Sequence, residues 1–133
     1  MLKKINFKLH IHNEAKIEIN QPALFLIIKN NLAIEEIYSP IEIDLTICGE
    51  DRIRELNKKY LSHDYITDIL SFPVVDKKEL KNLDNDSIIL LGEIVICKEV
   101  TGKQALEKNH TFIQEFNFLF EHGLKHLLGH HHN

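Results

Sequence analysis

The sequence has no tryptophan, only two cysteines and three prolines among its 133 residues, and no long apolar run. Its longest apolar runs are about six residues long, whereas a helix that crosses a bilayer needs about 20. The N-terminal segment alternates apolar and polar residues and has no apolar core of the kind that signal peptides contain. We therefore expect a soluble, cytoplasmic protein that neither enters a membrane nor is exported.

The small number of cysteines and the charge balance further restrict the class of protein. Cys48 and Cys97 each end an apolar run and have no metal-ligand spacing between them, which predicts two reduced, buried thiols. The chain carries 20 acidic against 16 basic residues, a net charge of −4. This balance argues against a broad basic face for nucleic acid but permits an RNA enzyme with a local basic cleft. The length predicts one domain, residues 1–133.

Apolar periodicity predicts a mixed sheet covered by helices, in an α+β fold with α/β-like element order. Period-two alternation indicates strands, and an i, i+3, i+4 stripe preceded by a capping residue indicates helices. The predicted strands span residues 5–12, 41–47, 68–74 and 88–97, the last one buried on both faces. The predicted helices span residues 20–37, 50–60, 98–108 and 112–128, and residues 77–87 are predicted to form a polar loop.

Histidine is the residue in excess, since five of the nine lie among the last twelve residues. His122 and His126 are four residues apart on the predicted last helix, so they share one face and can reach one metal ion. Gly129 then permits a left-handed turn that can bring a third histidine to the same ion. His132 fits that register best. We predict a metal site at the end of the C-terminal helix.

Three imidazoles without a nearby cysteine suggest zinc with one position left for water, which is the catalytic arrangement. Two simpler interpretations compete with this one. The run of three histidines resembles an expression-tag remnant, and histidines also occur on solvated helix ends. A tag gives no reason for the register between Gly129 and the two helical histidines, and that register favours the metal site.

The same H-x-x-x-H-x-x-G-x-x-H spacing occurs in metzincin peptidases, where a glutamate follows the first histidine and acts as general base. Here the residue after His122 is Gly123, so a peptidase is poorly supported.

Three segments resemble the YbeY family of metal-dependent endoribonucleases that mature bacterial ribosomal RNA. HGLKHLLGHHH at the C-terminus resembles the family signature H-G-x-L-H-L-x-G-Y-D-H. Residues 56–73 resemble its middle motif, L-N-x-x-Y-R-x-x-D-x-x-T-D-V-L-S-F-P, and residues 91–96 resemble L-G-D-I-x-I. The tail differs at His130 and His131, where the family has Tyr-Asp, which leaves His131 as an alternative to His132.

The resemblance implies a four-stranded mixed sheet packed with helices and a cleft with the histidines at one end. It implies a single-strand-specific endoribonuclease that binds zinc and acts on the 3′ end of small-subunit ribosomal RNA and in ribosome quality control. Single-stranded RNA and ribosomal RNA would be its substrates. A small-subunit ribosomal protein or an assembly GTPase would be its protein partner.

The middle segments supply the other candidate catalytic residues. Thr67, Asp68 and Ser71 are the polar residues of the middle segment. A strand that borders the cleft can direct some of them at substrate or at a metal-bound water; the alternative is a purely structural role. Glu93 lies inside an apolar strand and needs a partner, which we expect to be a metal-bound histidine or a lysine.

The arginine that the family places after the motif tyrosine is Leu61 here. A cation from the helix that carries Arg52, Arg54, Lys58 and Lys59 is one candidate replacement. The departure keeps two alternatives open. One is a ribosome-assembly factor that binds ribosomal RNA or a small-subunit protein and uses its metal structurally; the less favoured one is another metal-dependent hydrolase.

Overall fold

The computed structural model describes residues 4–83 and 87–130. The structure has four strands and five helices in these ranges. The strands are β1 (Phe7–Asn13), β2 (Ile41–Cys48), β3 (Ile69–Pro73) and β4 (Ile89–Cys97). The helices are α1 (Gln21–Ile34), α2 (Glu50–Leu61), α3 (Lys77–Lys81), α4 (Lys98–Glu107) and α5 (Phe112–Leu127). None of the described helices is long and apolar enough to span a membrane.

The strands form one mixed sheet in the order β1-β2-β4-β3. β1, β2 and β4 are parallel, and β3 pairs antiparallel with β4 as an edge strand. The expected α+β fold with a four-stranded mixed sheet is therefore confirmed. Local signals placed several helix ends: Asn20 caps α1 and Pro22 lies in its first turn, while Thr111 and Gln114 form the predicted capping box of α5.

The two faces of the sheet are covered unequally. On one face, α1 and α5 pack over a large apolar cluster that includes Ile43, Ile94 and Phe120. On the other face, a small cluster around Ile53, Leu70 and Val95 packs beneath α2 and α4. Cys48 and Cys97 belong to this second cluster, where they are free and buried, as the sequence predicted.

Two expectations about local structure were wrong. Residues 77–81 form α3 rather than a loop, because Asp76 and Glu79 build a capping box that starts this short polar helix. β4 is not buried on both faces throughout, since Leu90 is 39% exposed and Glu93 is only partly buried. Both residues face a cavity that the second cluster leaves open.

Candidate active site

Helix α5 carries the two histidines, and its position is set by an unusually close approach to the sheet. Its buried stripe includes Phe116, Phe120 and Leu124. Between them lies Gly123, where an added Cβ would lie 2.9 Å from Cδ1 of Ile69 and 3.0 Å from Cγ2 of Ile94. The absence of a side chain at this position lets the helix backbone rest directly on β3 and β4.

His122 and His126 lie next to each other on α5, as the four-residue spacing predicted. Their ring centroids are 4.6 Å apart and the ring planes are tilted by 47°. Oγ of Ser71 on β3 lies 3.3 Å from Nδ1 of His126. When Nδ1–H of His126 donates to this hydroxyl, Nε2 is the nitrogen that a metal would use, which is the usual division of roles in a ligating imidazole.

The chain turns sharply after α5. Gly129 has φ +91°, its N–H donates to the carbonyl of His126 at 3.0 Å, and the N–H of His130 donates to the carbonyl of Lys125 at 2.9 Å. These two bonds form a Schellman motif, so the predicted left-handed turn at Gly129 is present. The side chain of His130 contacts the carboxylate of Glu35 at the end of α1. The predicted third ligand, His132, and its alternative, His131, lie outside the described residues.

The two imidazoles fit a divalent metal as a pair of ligands from one helical face. Within residues 4–83 and 87–130, no group of three or more His, Cys, Asp or Glu side chains could hold a metal ion. His130 is directed to Glu35. The candidate third ligands, His132 and His131, are not among these residues.

A cavity of about 380 Å³ opens beside His126, between the end of β3, the start of α3 and the end of α5. Its walls include Pro73, Asp76, Lys77 and Gly129. Asp76 and Glu79 on this wall are tied to each other's backbone N–H groups in the α3 capping box. The cavity leaves room for a small ligand or a single chain segment next to His126.

Glu93, which was expected to contact a metal-bound histidine or a lysine, is placed on the face of the sheet away from α5. Its neighbour Ile94 faces α5, and side chains alternate along a strand. Oε2 of Glu93 accepts a hydrogen bond of 2.9 Å from the hydroxyl of Thr46, not from a lysine. With Asp44, Arg52 and Tyr60 it lines a second cavity of about 420 Å³.

Thr67 and Asp68 precede β3 and make contacts away from the histidine pair. The hydroxyl of Thr67 lies 3.3 Å from Oδ1 of Asp68, and Nε2 of Gln104 donates to Oδ2 of Asp68 at 3.2 Å. The carbonyl of Asp68 accepts from the N–H of Cys97 at 2.9 Å. Asp68 thus attaches the start of β3 to α4, whereas Ser71 contacts His126.

The four cations expected to replace the family arginine lie on α2, which packs against the face of the sheet away from α5. Nε of Arg54 is 2.8 Å from Oδ1 of Asp64, and this hydrogen bond lowers the pKa of the Asp64 carboxyl. Nζ of Lys58 is 3.9 Å from the same carboxylate. Arg52 pairs with Glu55 at 3.0 Å and with Glu14 at 3.7 Å, and Lys59 lies over the ring of Tyr60.

Lys77 lines the same cavity as His126, and the histidine spacing gives no indication of it. The signal that could have found it is the pair of Asp76 and Glu79, which predicts a helix start at residue 77 and thus an ordered lysine. Lys77 is far from the histidines in the chain, so the sequence does not indicate that they are close in space.

Comparison with known proteins identifies relatives over nearly the whole chain. The family sequence profile described as "Endoribonuclease YbeY" matches residues 8–133. A protein named Endoribonuclease YbeY from Spiroplasma citri is 39% identical over 110 residues, which cover 83% of this chain and 68% of the relative. One of that name from Alkaliphilus metalliredigens is 36% identical over 124 residues, covering 91% of this chain and 79% of the relative.

A third relative of the same name, from Acetivibrio thermocellus, is 38% identical and covers 89% of this chain and 79% of its own length. Among solved structures, a solution structure of a Thermotoga maritima protein superposes with a TM-score of 0.58 at 26% identity. It covers 95% of this chain and 75% of the other chain. Sequence and fold therefore point to the same relationship.

Proposed function

The chain belongs to the YbeY family of metal-dependent endoribonucleases, and from that premise we propose that it cleaves single-stranded RNA at the His122–His126 pair. The observation that carries this proposal is the convergence of two imidazoles, the Ser71 hydroxyl and an open cavity at one end of α5. A binding module would need only the cavity.

We assign zinc as the metal, held by His122, His126 and His132, with His131 as the alternative third ligand. When bound, zinc would supply a Lewis acid for a phosphoryl oxygen and an activated water with a pKa of about 7. The protein's own part is to orient the ligands. Ser71 contacts the ring of His126, and the Schellman turn at Gly129 ends α5 close to that ring.

We propose ribosomal RNA as the substrate, specifically the 3′ end of the small-subunit RNA, with a further part in ribosome quality control. A cytoplasmic location follows from that substrate. Single-stranded segments suit the cavity, because its walls are the end of an edge strand and two helix ends rather than an extended groove for a duplex. Thr67 and Asp68 have structural contacts in this proposal, and Glu93 is not part of the RNA site.

The test compares metal content and cleavage in the untagged wild type, His126→Ala and His12→Ala. The matched control removes an exposed histidine on β1, on a different strand from the site. We expect about one zinc per wild-type and His12→Ala chain, cleavage of single-stranded RNA that chelator stops, and loss of both in His126→Ala. Full metal content and cleavage in His126→Ala would contradict the assignment. His132→Ala and His131→Ala then identify the third ligand.

The second candidate function is that of a ribosome-assembly factor. In this role the chain would bind a small-subunit ribosomal protein or an assembly GTPase. The acidic cavity that Asp44 and Glu93 line favours a basic protein segment over RNA. Replacing both carboxylates, as Asp44→Asn with Glu93→Gln, should weaken association with small ribosomal subunits and leave cleavage of naked RNA intact. If the double variant still associates like the wild type, this cavity is not the protein-binding site.

A further inference from the structure

We propose that Lys77 binds a phosphate of the RNA substrate beside His126 and supplies the positive charge that Leu61 cannot. This inference rests on the proposed endoribonuclease function and adds a substrate-binding residue to it. Lys77 on α3 and His126 on α5 line one cavity of about 380 Å³, although the two helices are far apart in the chain. An RNA strand that enters this cavity to reach the histidines passes the lysine.

The aliphatic part of the Lys77 side chain packs against the end of α5. A Cβ added to Gly129 would lie 2.9 Å from Cβ of Lys77 and 3.2 Å from its Cγ and Cδ. The aliphatic stem therefore lies directly against the glycine of the Schellman turn, three residues after His126. Packing a lysine stem on a surface while its ammonium reaches solvent is a common arrangement, and Lys77 is one of the residues that line the cavity.

The charges around Lys77 leave it available to a phosphate. Asp76 and Glu79 also line the cavity, but each side chain accepts a hydrogen bond from the other's backbone N–H. Among the described residues, no carboxylate lies within 4.0 Å of the Lys77 ammonium. The capping bonds hold both carboxylates at the start of α3, and Lys77 is the lysine among the described residues that lines this cavity.

Position and pairing distinguish Lys77 from the cations of α2. Arg52, Arg54 and Lys58 are paired with carboxylates, and they lie on the helix that covers the other face of the sheet. Lysine binds phosphate as a point charge and does not need the fork geometry of arginine. A lysine on α3 can therefore supply the positive charge for a phosphate, although position 61 holds a leucine.

Binding is measured separately from cleavage, with a fluorescent 12-nucleotide single-stranded 2′-O-methyl RNA and the metal-loaded protein. Each phosphate contact with single strands contributes about 0.7 to the slope of log affinity against log salt. Lys77→Gln should lower the slope magnitude by about 0.7 and weaken binding about five-fold at 0.1 M salt. Lys77→Arg should restore both values, because it restores the charge.

The matched control is Lys78→Gln, which removes the same charge from the same helix. Lys78 lines a different cavity, near Asn82 and Leu83, so this variant should keep the wild-type salt slope. Equal slopes for Lys77→Gln and Lys78→Gln, in proteins that both retain their metal and cleave RNA, would overturn the inference and leave the endoribonuclease function standing. If the wild type neither binds nor cleaves the single strand, the proposed function fails and the role of Lys77 fails with it.

Discussion

The two faces of the sheet differ in how completely they are covered, and the difference separates the chemical site from the rest of the molecule. Among described residues, eighteen buried apolar side chains form the cluster beneath α1 and α5, against five beneath α2 and α4. The well-packed face supports α5, which carries the histidine pair. The sparsely covered face leaves polar side chains, among them Asp44 and Glu93, open to a cavity.

The largest expected effect is a loss of folding stability, compared between one buried leucine from each face of the sheet. Leu124→Ala, in the large cluster, should lower the free energy of unfolding by about 3–5 kcal/mol, because dense packing prevents the site from collapsing. Leu70→Ala, in the small cluster, should cost about 2–3 kcal/mol, since its surroundings can relax toward the open cavity. Urea denaturation measures both values. Equal losses would show that the two clusters are equally rigid.

The next effect tests the close approach of α5 through a pair of helical glycines. Gly123→Ala should destabilise the protein by about 1–3 kcal/mol, because the new methyl group meets Ile69 and Ile94. Gly102→Ala on α4 should instead add about 0.5–1 kcal/mol, because its nearest neighbour is Phe112 Cδ2 at 3.9 Å and alanine favours the helix. Thermal and urea unfolding check the opposite signs. A stabilising Gly123→Ala would contradict the close approach.

A smaller effect concerns the thiols of the second cluster. Burial, followed by the nearby Cys97 thiol, raises the pKa of Cys48 from 9.0 to about 12, and burial also raises the pKa of Cys97. Because the folded state keeps the thiols neutral, their contribution to stability is present below pH 9 and is lost as pH rises from 9 toward 12. The variant with both Cys48→Ala and Cys97→Ala should lose less stability between pH 8.5 and 10.5 in urea denaturation. Parallel pH profiles would contradict this.

The smallest expected effect tests whether the acidic cavity takes part in cleavage. Glu93→Gln keeps a group that can accept from Thr46 and removes only the charge. Single-turnover cleavage of a single-stranded RNA should stay within about two-fold of wild type, because the sheet separates Glu93 from the histidines and an interaction absent from the transition state does not change the rate. A ten-fold loss would place Glu93 in the reaction and contradict the separation of the two faces.

Local signals in the sequence predicted most helices and strands and the side-by-side placement of His122 and His126. The capping residues of α1 and α5 and the four-residue spacing of His122 and His126 act within one helix, so the sequence alone contains them. The capping box of Asp76 and Glu79 was missed because α3 has only five residues and no apolar periodicity.

Contacts across the sheet could not be predicted in the same way. The bond between Thr46 and Glu93 depends on β2 and β4 being neighbours, although the residues lie 47 positions apart. The nearness of Lys77 to Gly129 likewise depends on where α3 meets the end of α5. Sequence patterns specify faces of single elements, and the pairing of those faces follows from tertiary packing.

The close contact at Gly123 also limits which activities this scaffold can acquire by mutation. In metzincin peptidases the residue after the first histidine is the general base, so it must face the substrate. Here that position faces Ile69 and Ile94, and a glutamate would be driven into the apolar core without a partner. A single substitution therefore cannot convert the histidine helix into a peptidase site, because α5 would first have to lift or rotate away from the sheet.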